Sequence, residues 1–170
     1  MQRIPVFLCL ALLLSTVAIA QQADRATANG LGGVETVYLV VHVLDEDLIS
    51  DGLETEAVWT EIKTLLQDGG LVVAELKDVP EPAEIQGTIR LAIDATIAAT
   101  ANRVYDIRLE LRQRVSLTRD PETQLAATTW SAGDFGMSTR KDMLEIRSAT
   151  RDLVGQFLAD HRTANPKPKK

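Results

Sequence analysis

Apolar and polar residues alternate most regularly over Gly87–Leu117. Ile89, Leu91, Ile93, Ala95 and Ile97 alternate with Thr88, Arg90, Ala92, Asp94 and Thr96; Tyr105, Ile107, Leu109 and Leu111 then alternate with Asp106, Arg108, Glu110 and Arg112, and Val115 and Leu117 keep the same parity. Side chains on a strand point to opposite faces in turn, so this pattern predicts two strands, each with one dry and one wet face. The odd residues are the dry ones on both strands. A three-residue loop, Thr100-Ala101-Asn102, preserves that parity, and Asn tolerates the left-handed position such loops require. It sets Ile93 opposite Leu109 and Asp94 opposite Arg108. It also sets Arg90 opposite Arg112, a like-charge contact that Glu110 could relieve.

The remaining elements are read against this hairpin. Val37–Leu44 is apolar on both parities, as expected of a strand interior to a sheet. Asp45–Gly52 is acidic. Tested as a calcium loop it fails, because Ile49 and Ser50 stand where an oxygen ligand and the required glycine belong, so it reads as a solvated turn. Thr55–Asp68 has helical periodicity through Val58, Ile62, Leu65 and Leu66, with Trp59 at the rim of that stripe. Glu54 and Glu56 suit its positive end, and Gly69-Gly70 supplies the stop. Leu71–Leu76 is a second strand reached by a parallel crossover. Asp78–Gln86, with Pro80 and Pro82, is a loop, and Asp120-Pro121 a turn. Leu125–Trp130 is the fifth strand. Ser131–Ser138, with Gly133 and Gly136, reads as a loop into a helix over Arg140–His161, capped by Ser138 or Thr139 and striped by Ile146, Leu153 and Phe157. Gly155 lies opposite that stripe.

Two amphipathic helices can cover one face of a sheet and hardly two. The expected fold is therefore α+β: a two-layer sandwich of order β-α-β-β-β-β-α, with both helices on one face of a five-stranded mixed sheet. The expected strand order is second, first, third, fourth, fifth.

The first twenty residues carry a basic start at Arg3, an apolar run Ile4–Leu14 and the small-residue site Ala18-Ile19-Ala20, the layout of a cleaved export signal. The expected organisation is a signal at 1–20, a flexible glycine-rich leader at 21–33, one domain at 34–163 and a basic tail at 164–170. Cleavage after Ala20 leaves 150 of the 170 residues, enough for one domain with a real core. The one cysteine, Cys9, leaves with the signal, so no disulfide supports the fold. Removing Arg3 from the 18 basic residues leaves 17 against 24 acidic ones, a net charge of −7. That balance argues against non-specific nucleic-acid binding.

The catalytic inventory is thin. His42 lies mid-strand between valines, where a packing role is the common one, and His161 lies near a helix end, where a cation suits the dipole. Ser131 with His42 and an aspartate could be written as a triad, but no nucleophile elbow supports it. Gly133-Asp134-Phe135-Gly136 lacks the lysine of a phosphate loop, and Asp134 would repel an anion. Its Asp-Phe-Gly echoes a kinase tripeptide in a chain far too short for a kinase. No cluster has metal-ligand spacing. No catalytic residue, cofactor or metal is expected.

Ala127-Thr128-Thr129-Trp130-Ser131, Gly133 and Gly136, Ile146-Arg147, Asp152-Leu153-Val154, Phe157-Leu158 and Asn165-Pro166 resemble a group of small exported bacterial proteins of unassigned function. The resemblance covers most of the exported chain. It implies a periplasmic or secreted envelope protein with a two-layer domain, and it implies no catalytic residue. The wet hairpin face offers Arg90, Arg108, Arg112 and Arg114, a basic excess on an acidic protein. If Val115 faces Leu125 across the turn, Trp130 falls beside Glu110 on that face, within reach of Arg112; the other reading of Trp130 is core. These five residues are the candidate interaction surface for an envelope protein partner. A small or lipid-like ligand held between helices and sheet, and a hydrolase, are the competing classes. The signal reading predicts that N-terminal sequencing of the exported protein begins at Gln21; a retained Met1 or a lipidated Cys9 would contradict it.

Overall fold

The computed structural model describes residues 30–43, 46–74, 87–97, 102–139 and 143–166. The expectations for the export signal, the first part of the leader, the Pro80–Pro82 loop, Thr100-Ala101 and residues 167–170 lie outside them. The strands are β1 (Thr36–Val43), β2 (Val72–Ala74), β3 (Gly87–Ile97), β4 (Asn102–Leu117) and β5 (Asp120–Thr139), and the helices are α1 (Glu46–Ser50), α2 (Thr55–Asp68) and α3 (Met143–Ala164). They form one five-stranded mixed sheet in the order β2-β1-β3-β4-β5, as expected. β1 runs parallel to both β2 and β3, while β3-β4 and β4-β5 are antiparallel.

The hairpin's odd rows are the floor of the core. Ile89, Leu91, Ile93, Ile107, Leu109 and Leu111 are all fully buried. Val58, Ile62 and Leu66 from α2, and Ile146, Leu153, Val154 and Phe157 from α3, complete the same cluster, so both long helices cover one face. Arg151 of α3 pairs with Glu61 of α2 where the helices meet. Trp59 covers the rim as its position suggested, donating from Nε1 to the Leu39 carbonyl at 3.2 Å. Gly70 ends α2 in the left-handed region at φ 96°, which a glycine adopts without strain.

The hairpin register differs from the expected one by two residues. Ile93 faces Ile107, Arg90 faces Glu110 and Asp94 faces Asp106, with pairing ending at Ile97–Arg103. A two-residue slip leaves every side chain on its own face, so burial alone does not choose between the two registers. The observed one replaces an Arg90–Arg112 contact by Arg90–Glu110. It leaves Asp94 facing Asp106, and Arg108 donates to Asp106 at 3.4 Å.

β5 departs most from expectation. It runs to Thr139, so Ser131–Ser138 is strand rather than loop, and Ser138 and Thr139 are strand residues rather than helix caps. Val115 does face Leu125. A register shift between Leu111 and Arg112 then leaves Thr129 as an extra residue: Arg112 faces Thr128, while Leu111 faces Trp130. One inserted residue exchanges the two faces of everything beyond it. Trp130 therefore belongs to the core and not to the open face beside Arg112. It is 2% exposed. It meets Phe157 edge-on at 5.0 Å between ring centroids and donates to Asp160 at 2.9 Å. Gly136 lies under the Tyr105 ring, which occupies the place a Cβ would need, so this glycine serves packing and not anion binding.

Two segments assigned to solvent are structural. The acidic turn contains α1, whose Leu48 is buried, and Asp51 after it pairs with the fully buried Arg103. The leader is packed from Gly30 onward: Leu31 and Val34 are buried. Asn165 accepts from the Gly33 amide at 2.7 Å and donates to the Leu31 carbonyl at 2.9 Å. His161, expected only to suit the helix dipole, is buried and donates from Nε2 to the Val34 carbonyl at 2.6 Å. The folded domain thus extends beyond the expected 34–163 at both ends. No helix among the described residues is long and apolar enough to cross a membrane.

Leu109→Ala should cost about 2–5 kcal/mol in denaturant melts, the range for truncating a buried leucine. Glu110→Ala, on the other face, should change stability by less than about 0.5 kcal/mol. Equal effects would contradict the face assignment. Gly155 is exposed on α3 with nothing within 4 Å of an added Cβ. Gly155→Ala should therefore stabilise by about 0.5–1 kcal/mol, the helix-propensity difference. A lower melting temperature would show that the glycine has a role the fold does not reveal.

Candidate functional site

The face of the sheet away from the helices is built from even residues of β1, β3 and β4, and after the bulge from odd residues of β5. Cross-strand pairing arranges them in rows. One row runs His42, Ala92, Arg108, Gly133; the next Val40, Arg90, Glu110, Ser131; the next Tyr38, Thr88, Arg112, Thr128; and Arg114 faces Ala126 beyond. No described helix lies over these rows, and Arg90, Arg108, Arg112 and Arg114 are all exposed. The structure thus brings together four of the five expected surface residues and withdraws Trp130.

A groove of about 910 Å³ crosses this face. Tyr38, Val40 and His42 line it from β1, Arg90 from β3, Arg112 and Arg114 from β4, and Gly32 and Gly33 close one end. Arg108 lies outside it, in a smaller depression of about 170 Å³ shared with Arg90, Ala92 and Glu110. Among the described residues no carboxylate lies within 4.0 Å of the Arg90, Arg112 or Arg114 guanidinium, whereas Arg108 is held by Asp106. Among the described residues, the groove therefore presents three exposed arginines without a carboxylate in ion-pair range.

His42 is exposed on the groove wall, not packed as its valine neighbours suggested. The signal that could have placed it is parity: Val41 and Val43 share one face and His42 takes the other with Tyr38 and Val40. Ser131 sits on β5, three strands from β1, about 14 Å away at ordinary strand spacing. The serine–histidine arrangement is not assembled. Among the described residues, Tyr105 is the one titratable group with a clear displacement: burial first, then the Asp134 and Glu145 carboxylates, hold its phenol above the usual range. It stays protonated at neutral pH and is no base. Among the described residues no three His, Asp or Glu side chains gather as a metal site. Between α2 and α3, the space bounded by Leu53, Val58, Ile62, Arg147 and Thr150 has no room for a water molecule.

No protein-family model matches the sequence, and no curated protein does. Among solved structures, the chain is similar to a PelC variant dodecamer from Paraburkholderia phytofirmans at 13% identity, over 76% of this chain and 88% of that one, with a TM-score of 0.44. It is also similar to the hypothetical protein CT253 from Chlamydia trachomatis at 10% identity, over 76% and 97%, with a TM-score of 0.41. A minor lipoprotein from Acinetobacter baumannii aligns over 82% of this chain and 99% of its own, at 10% identity and a TM-score of 0.31.

Proposed function

We propose that this protein is an exported, non-catalytic module of the bacterial envelope that binds another protein through the open face of its sheet. The observation that carries the reading is the groove: three arginines without carboxylate partners among the described residues, on the uncovered face of a chain whose net charge is −6. Arginine is enriched at interface hot spots because its planar fork pairs carboxylates bidentately and loses little entropy in doing so. Export rests on the order of charges and apolar residues in the first twenty positions, and the envelope on the resemblance of the second half of the chain.

The test is affinity capture from native envelope extract with the exported protein and with a variant carrying Arg108→Glu and Arg112→Glu. Both positions are exposed, so the variant should melt as the parent does. The parent should capture a reproducible set of proteins and the variant should lose it. A folded variant that captures the same set would show that binding does not use this face. A parent that captures nothing reproducible would remove the interaction reading.

A further inference from the structure

The groove's arginines are not gathered around one point. They form a line. Arg112 and Arg114 are alternate residues of β4, about 6.8 Å apart at the ordinary rise of a strand. Arg90 is the diagonal neighbour of Arg112 across the β3-β4 pair, because Thr88 faces Arg112. Such a diagonal spans about 7–8 Å. The backbone positions of the three arginines thus follow one another at intervals of about 7 Å, from the free end of the β4-β5 hairpin toward β1. A single phosphate or carboxylate can engage one or two of them. Engaging all three takes an extended ligand with negative charge every 7 Å or so. A polypeptide in extended conformation, with carboxylates on alternate residues, has that repeat on one face.

The rest of the groove fits a peptide better than a dense polyanion. Tyr38 and Val40 offer an aromatic ring and an apolar floor beside the arginines, suited to the aliphatic parts of side chains. Duplex DNA carries a charge every 1.7 Å or so of its axis. Against the net −6 of this chain, three cations would not hold such a polymer, while a short segment with a few carboxylates meets the local positive row and little of the remaining charge.

We infer that the groove lined by Tyr38, His42, Arg90, Arg112 and Arg114 takes an extended acidic peptide whose carboxylates recur at alternate residues. The inference rests on the open-face reading and names the chemistry of the partner segment.

The probe is a synthetic octapeptide alternating Glu and Thr, titrated calorimetrically into the purified protein at low and at physiological salt. Its Gln-for-Glu counterpart, inorganic phosphate and phosphatidylglycerol vesicles are titrated in parallel. The Glu peptide should bind, more weakly as salt rises, and the Gln peptide should bind at least tenfold more weakly. Arg112→Ala with Arg114→Ala should lower affinity for the Glu peptide at least tenfold, with an unchanged melting temperature. Arg108→Ala, outside the groove, should change it less than twofold. Equal binding of the Gln peptide, or full binding by the double variant, would overturn the inference. So would phosphate or vesicles binding through Arg112 and Arg114 while the Glu peptide does not. If the peptide fails yet Arg108→Glu with Arg112→Glu still abolishes capture from envelope extract, the open face is an interaction surface for a partner of other chemistry. The peptide inference alone then falls.

Discussion

One extra residue in β5, Thr129, decides how the last third of the domain is assembled. Before it, β5 is in the register that Val115–Leu125 pairing sets; after it, even positions turn inward. Trp130 is the first of them, and its indole fills the space against Phe157 while its N–H meets Asp160. Both partners are on α3, so the bulge gives this helix an aromatic anchor and a hydrogen bond near its C-terminal end. The same stretch of α3 holds His161 and Asn165 against the backbone of Leu31, Gly33 and Val34. A register shift in an edge strand is thereby linked, through one tryptophan and one helix, to the way the chain enters β1. Without the bulge Trp130 would face water, and the core would lose one of its largest side chains.

Much of this architecture could be read from residue patterns because one physical constraint, a single dry face, shapes the chain. Period-two alternation through Ile89–Ile97 and Tyr105–Leu111 gave the right faces for both strands, and the spacing of Val58, Ile62 and Leu66 gave α2 its buried stripe. Alternation fixes only parity, so the hairpin register was open to a slip of two, and setting Arg90 across from Glu110 rather than Arg112 is a small energy difference to read in advance. The bulge was not legible at all. Nothing in Ala-Thr-Thr-Trp distinguishes a regular strand from one with an extra residue until Trp130 has a partner to bury against. The groove arginines were legible as a group, because exposure follows from parity alone. Their distribution was not: which of them line a groove depends on the register and on His42 and Tyr38 from β1.

The five arginines of β3 and β4 at positions 90, 103, 108, 112 and 114 show how parity decides chemistry. Arg103 is the odd-numbered one and points into the dry layer, where an isolated charge is costly and removal of its counter-charge would be strongly destabilising. Asp51 supplies that charge, which explains why a short acidic segment after β1 folds back as α1 with Leu48 in the core. The even-numbered arginines need no such partner, since water already solvates them. The same side chain is a structural obligation on one face of the sheet and a solvent-exposed charge on the other.

An open sheet face of this kind would ordinarily invite a second sheet to stack on it. Here exposed charge interrupts the apolar area that such stacking needs, because Arg90, Arg108, Arg112 and Arg114 all stand out of this face. The edge is handled less completely, because Phe135 and Met137 remain 70% and 63% exposed on β5. They lie on the open face near Asp106, in the part of the sheet opposite to Arg114. On the proposed reading, a partner's carboxylates reach Arg90, Arg112 and Arg114 without first opening an ion pair to any described residue. That difference separates the groove from Arg108, whose bond to Asp106 would first have to open.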